Sequence, residues 1–150
     1  MVTTISKLKN KKVLVIFPHP DDETVMAGGL IQKLISLEAN ISVVCLTSGD
    51  QGKIHIHGRG RSLGEIRRQE FFTAIKRLGV DQYEIFNFPD GRLKNTKVWH
   101  APIRELLRGR DLVVSYDPTG VTGHPDHIAL TKFLHQQPIK LWQVAPTGII

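Results

Sequence analysis

Val13-Leu14-Val15-Ile16-Phe17 is an unbroken apolar run, rich in β-formers, directly after Lys11-Lys12. A strand without polar alternation is one buried on both faces, as in a parallel sheet. Val25, Met26, Gly29, Leu30, Leu34 and Leu37 then recur at helical spacing. They predict a helix starting near Asp22 or Thr24, where acidic residues meet the positive end of the helix. Ile41 to Leu46 predicts a second buried strand, ending at Thr47-Ser48-Gly49-Asp50-Gln51-Gly52. A helix follows from Leu63 to Leu78, with Gly79 as its C-cap. Tyr83 to Phe88 predicts a third strand, running into the turn Pro89-Asp90-Gly91. Trp99 to Leu107 predicts a helix with Pro102 near its start, Asp111 to Tyr116 a fourth strand, Asp126 to His135 a helix, and Leu141 to Val144 a fifth strand. Strands alternating with helices predict an α/β fold, an open and mostly parallel sheet with helices on both faces. With no internal repeat and no interdomain linker, residues 1–150 read as one domain.

Two polar segments stand out against this pattern: Pro18-His19-Pro20-Asp21-Asp22-Glu23 and Gly123-His124-Pro125-Asp126-His127. They follow the first and fourth strands. In an open α/β sheet ligands sit beyond the carboxyl ends of the strands, where strand order reverses, and a three-two-one-four order makes those strands neighbours. Two histidines and a carboxylate form a three-ligand set with positions left open, as catalytic zinc requires. The expected ligands are His19, Asp22 and His127. An ion there would polarise a carbonyl and acidify water. Asp21 is then placed as general base, and His124 as the group that stabilises an oxyanion and protonates a departing amine. Asp126 is expected to orient His124 by charge pairing. The same ligand types also form the facial triad of non-haem iron oxygenases. Alternatively, Asp21, Asp22 and Glu23 form only an acidic helix start.

Composition narrows the class. Hydrophobic residues make up 41% and charged residues 23% of the 150 positions, ordinary for a globular protein. No apolar run is long enough to span a membrane, and Met1 to Lys12 lacks the apolar core of a secretory signal, so a cytoplasmic location is expected. Cys45 is the single cysteine, inside an apolar run, and reads as a buried small hydrophobe. The net charge of +6 permits anionic ligands, but there is no nucleic-acid module and little aromatic interleaving, so no nucleic-acid partner is expected.

The motif residues, with Thr47-Ser48-Gly49-Asp50-Gln51-Gly52, Arg67-Arg68-Gln69-Glu70 and Phe88-Pro89-Asp90-Gly91-Arg92-Leu93, resemble the LmbE-like (PIG-L) N-acetylglucosaminyl deacetylases from about Val13 to Leu130. The resemblance implies a Rossmann-like fold and a metal-dependent hydrolase that removes the N-acetyl group from an N-acetylglucosamine-containing small molecule. It implies zinc at His19, Asp22 and His127, with ferrous iron also suited to such ligands. It matches Asp21 to the base, His124 to the electrophile or acid, and Arg67 to substrate binding. Asp90, after the third strand, joins Arg67 as a substrate-binding candidate. Members of the family run longer than this chain, and Ile149-Ile150 make an apolar end. The expectations are therefore a compact member or a truncated one, the latter including a non-catalytic sugar- or metal-binding form. Homo-oligomerisation stays open, since an unfinished sheet leaves an edge. His55 and His57, near Arg59 and Arg61, read as a surface loop. Trp99 and Trp142 read as packing residues rather than sugar platforms.

Overall fold

The apolar run after Lys11 becomes β1 (Lys12–Phe17), the central strand of a five-stranded sheet in the computed structural model, which describes residues 5–53 and 60–145. Its order is β3-β2-β1-β4-β5, where β2 is Asn40–Cys45, β3 Gln82–Ile85, β4 Leu112–Tyr116 and β5 Leu141–Val144. Every pairing is parallel. The expected adjacency of the first and fourth strands holds, with Val13, Leu14 and Val15 opposite Leu112, Val113 and Val114. The helices are α1 (Asp22–Ser36), α2 (Leu63–Leu78), α3 (His100–Leu107), the single turn α4 (Gly120–Gly123) and α5 (Pro125–His135). His55, His57, Arg59 and Ile149-Ile150 lie outside the described residues.

Alternation along β1 explains why the run needs no polar residue. Val13, Val15 and Phe17 pack with Ala27, Ile31 and Leu34 of α1 and Phe71 and Ile75 of α2. Leu14 and Ile16 point the other way, into Trp99, Ile103 and Leu107 and into Leu130, Phe133 and Leu134 of α5. Successive strand residues face opposite sides, so a strand covered on both faces must be apolar throughout. Burial of Trp99 is completed by its indole N–H, which donates to the Leu93 carbonyl at 3.0 Å. Cys45 is buried, and burial pushes its thiol pKa up.

Helix ends follow local chemistry. Ser62 and Glu65 form a capping box at the start of α2, and Gly79 closes it in the left-handed conformation at φ 82°. β3 is shorter than expected. Phe86 and Phe88 still donate to the Cys45 and Leu46 carbonyls at 2.8 and 3.1 Å, but the regular ladder has ended. There the Asn87 side chain accepts a hydrogen bond from Ser48, and Pro89 has no amide to give. Among the described residues no helix is long and apolar enough to cross a membrane.

Candidate functional site

His19 lies two residues beyond β1, Asp22 is the first residue of α1, and His127 is on the first turn of α5. Pairing of β1 with β4 brings them together at the carboxyl ends of the strands. His19 Nδ1 is 3.1 Å from His127 Nε2, and each is 3.5 Å from Asp22 Oδ2. All three residues are buried.

The remaining atoms of these side chains decide what the triangle can hold. His19 Nε2 faces Asp90 Oδ1 at 3.1 Å and Asp126 Oδ2 at 3.2 Å, so its N–H donates to carboxylates. His127 Nδ1 is 3.0 Å from the Gly120 carbonyl and donates to it. Those bonds leave His19 Nδ1 and His127 Nε2 facing each other beside a carboxylate oxygen, with the His19 Nδ1 proton donated to His127 Nε2 when no cation is bound. A tetrahedral zinc ion with ligands at about 2.0–2.1 Å has ligand–ligand edges of about 3.3–3.4 Å. The observed edges bracket that value, so these residues fit a zinc-type ion. The outer hydrogen bonds to Asp90, Asp126 and Gly120 are of the kind that orient ligating histidines.

Electrostatics agrees. Burial opposes charge on the His19 ring, but hydrogen bonds to Asp126, Asp22 and Asp90 outweigh it and push its pKa up to about 11. Asp22 is held below the usual carboxylate range: burial works against its charge, while His19, His127 and Tyr116 overcome that cost. Burial lowers the pKa of His127, keeping its ring neutral near pH 7. An entering cation must displace the His19 proton. Apparent metal affinity is therefore expected to rise with pH, about tenfold per unit between roughly pH 6 and 8 if one proton is released. Competition with a chelator across that range checks it, and a flat profile would contradict the raised His19 pKa.

Asp21 stands at the mouth of the site at φ 109°, ψ −33°, a conformation costly for any residue but glycine. Two contacts hold it. Its N–H donates to Glu23 Oε2 at 3.2 Å, and its carboxylate accepts from Arg67 Nη2 at 2.6 Å. Arg67 also donates to the Pro20 and Gly49 carbonyls at 2.6 and 3.1 Å. The guanidinium thus ties α2 to the loops after β1 and β2. Gly49 (φ 67°) is required there, because a Cβ would stand 2.5 Å from Arg67 Nη1. Loss of surrounding water raises the Asp21 pKa, against the opposing charge of Arg67.

His124 caps α5: its Nδ1 accepts the Asp126 N–H at 3.2 Å, which leaves Nε2 to carry the ring proton. His19, His124 and His127 each offer a nitrogen within 4.8 Å of the others. One expectation needs correction. The Asp126 carboxylate is not paired with His124. It is fully buried, accepts from the Gly91 and Leu93 amides at 2.7 and 2.9 Å, and points at His19; only its backbone meets His124. The Asp90 side chain is 5% exposed and faces His19, with the Gln51 amide on Oδ2 at 2.7 Å. Backbone donors and His19 hold both carboxyls below their ordinary pKa despite burial.

Two residues were not singled out in the sequence. Tyr116, the last residue of β4, donates to Asp22 Oδ1 at 2.6 Å and stacks on His127 with ring centroids 4.1 Å apart. Glu23 is 1% exposed, its pKa raised by burial, and its carboxylate stabilises the Asp21 turn. Gly120 completes the set at φ 64°, where a Cβ would lie 2.9 Å from His127 Cβ. Gly120→Ala is expected to destabilise the protein by about 1–3 kcal/mol and to weaken metal binding by displacing His127. Thermal melts and a chelator competition measure the two effects; wild-type values in both would show the approach to be tolerant.

Comparison with known proteins adds an independent line. The family model described as PIG-L, GlcNAc-PI de-N-acetylase, matches residues 14–137. A probable N-acetylglucosaminyl-phosphatidylinositol de-N-acetylase of Dictyostelium discoideum is 31% identical over 140 residues, covering 87% of this chain and 51% of that protein. A 1D-myo-inositol 2-acetamido-2-deoxy-alpha-D-glucopyranoside deacetylase of Saccharopolyspora erythraea is 31% identical over 77% of this chain and 52% of its own length. Among solved structures, the N,N'-diacetylchitobiose deacetylase of Pyrococcus horikoshii superposes with a TM-score of 0.71 at 32% identity, over 83% of this chain and 48% of that one. The chain spans about half the length of the relatives it matches.

Proposed function

The chain belongs to the PIG-L family of de-N-acetylases, and on that premise we propose that it hydrolyses the N-acetyl group of a small N-acetylglucosamine-containing molecule, using a zinc-type ion held by His19, Asp22 and His127. The observation that carries the reading is the triangle of His19 Nδ1, His127 Nε2 and Asp22 Oδ2, with the outer nitrogen of each ring bonded away from it. A zinc-type ion bound there supplies Lewis acidity, polarising the acetamide carbonyl and acidifying water beside it.

The chain's own residues supply the proton transfers. Asp21, 61% exposed at its side chain, takes the proton of the attacking water. Arg67 fixes the carboxylate in place, and its charge favours the ionised form. Three of the five guanidinium donors are spent on Asp21, Pro20 and Gly49, which leaves two for hydroxyls of the sugar. His124, with Nε2 carrying the proton, donates a hydrogen bond to the developing oxyanion, and the proton that Asp21 took from water passes to the leaving amine. Water adds to the carbonyl carbon, the C–N bond breaks, and the products are acetate and the free amine.

The test is acetate release from a panel of N-acetylglucosamine derivatives, with chelated protein and protein reloaded with zinc or ferrous iron. Acetate only after reloading supports the proposal. Stoichiometric metal and sugar binding without acetate would make the chain a binding module instead. Oxygen uptake coupled to substrate would make it an oxygenase.

A further inference from the structure

Tyr116 touches two of the three residues that hold the ion in the reading above. Its ring lies nearly parallel to that of His127, at an interplanar angle of 16° and a centroid distance of 4.1 Å. Its hydroxyl donates to Asp22 Oδ1 at 2.6 Å in a buried setting. Residue 116 is 3% exposed and pairs with Val144 of β5, so its backbone is fixed by the sheet and its ring by packing against Phe17.

The two Asp22 oxygens are therefore unequal. Oδ2 accepts the His19 backbone N–H at 3.0 Å and faces the two ring nitrogens. Oδ1 is turned toward Tyr116. A carboxylate with both oxygens free can chelate an ion through the pair, which occupies an extra coordination position. One whose second oxygen is held by a strong hydrogen bond presents a single oxygen.

We propose that Tyr116 is a positioning residue of the metal centre: its hydroxyl holds Asp22 as a one-oxygen ligand and its ring sets the plane of His127. A coordination position is thereby kept for water and substrate. This inference rests on the metal reading of the site, and goes beyond it in assigning coordination mode to a residue that is not a ligand.

Tyr116→Phe keeps the ring and removes the hydroxyl. Its zinc dissociation constant, read by competition with a chromogenic chelator, is expected to rise about 10–100-fold, the usual cost of losing a partner that orients a ligand. In the cobalt-substituted protein the visible bands should weaken and shift as Asp22 becomes free to bind through both oxygens and coordination number rises. The gain in melting temperature on adding zinc, taken within each protein, separates lost metal affinity from lost fold. A second measurement does not depend on the variant. Tyr116 is the only tyrosine left in Tyr83→Phe, and zinc titration of that protein should perturb the near-ultraviolet tyrosine signal with one-to-one stoichiometry. Tyr116→Phe with wild-type zinc affinity and unchanged cobalt bands overturns the inference while leaving the metal site standing. Wild-type protein that takes up no stoichiometric metal overturns both.

Discussion

His127→Ala is expected to lose stoichiometric metal and acetate release together, with an affinity loss well beyond the roughly 10–100-fold that follows removal of a supporting residue. The reason is geometric. His127 Nε2 is one corner of a triangle whose other corners, His19 Nδ1 and Asp22 Oδ2, come from a single stretch of chain. Without it the remaining two donors cannot close a catalytic zinc set. His124 is the only other described imidazole in the cluster, and its Nδ1 is engaged in capping α5. Metal analysis of the dialysed variant decides the matter. Retention of one equivalent would mean that His124 serves as a ligand and that the capping hydrogen bond is dispensable.

Asp21→Asn has the opposite signature. Zinc content should stay near wild type, because residue 21 contributes no corner of the triangle, while kcat falls by about 10²–10⁴, the usual contribution of a positioned general base. Asparagine is the right replacement, since it tolerates positive φ far better than most residues and preserves the φ 109° backbone. The pH profile carries a second readout. A base works only when deprotonated, and the Asp21 pKa is raised above 3.8. With zinc kept saturating at every pH, the wild-type rate should therefore fall as pH drops through that raised value, and this acid limb should vanish in the variant. An acid limb that survives in Asp21→Asn would assign the base to another group.

The architecture was largely legible in the sequence because burial on both faces leaves an unmistakable signature. The run at 13–17 has no polar residue, and the structure explains it by two separate clusters reading alternate positions. Adjacency of the first and fourth strands, inferred from the usual strand order, follows from the same doubly covered geometry. Side-chain direction was less accessible. Asp126 sits between two histidines in sequence, so either could be its partner. The turn at Gly91–Leu93 supplies amides that draw the carboxylate to His19, and nothing near Asp126 in the chain announces those donors. Asp90 reads as a substrate-binding candidate in the turn after the third strand, and nothing in the sequence announces that Gln51 and His19 bond its carboxylate. Tyr116 was missed for a different reason: an aromatic at the end of a buried strand looks like packing, and only its hydroxyl distinguishes it. The short turn Gly120–Gly123 carries Val121 at φ 62°, a conformation no sequence rule assigns to valine.

The triangle joins residues 108 positions apart, His19 after β1 and His127 on α5. His19 and Asp22 are neighbours as soon as the first strand and helix exist, but the third donor arrives only after β4 has docked against β1 and α5 has closed over the sheet. An ion therefore discriminates sharply between the finished molecule and every earlier species along its folding route. Zinc at a hundred times its dissociation constant would add about 2.7 kcal/mol to the stability of the native state alone. Chelation would withdraw that increment from the whole β1–β4 seam at once. Loss of the ion should thus register in hydrogen exchange at amides of the central strands, far into the core, and not merely at the mouth of the cleft.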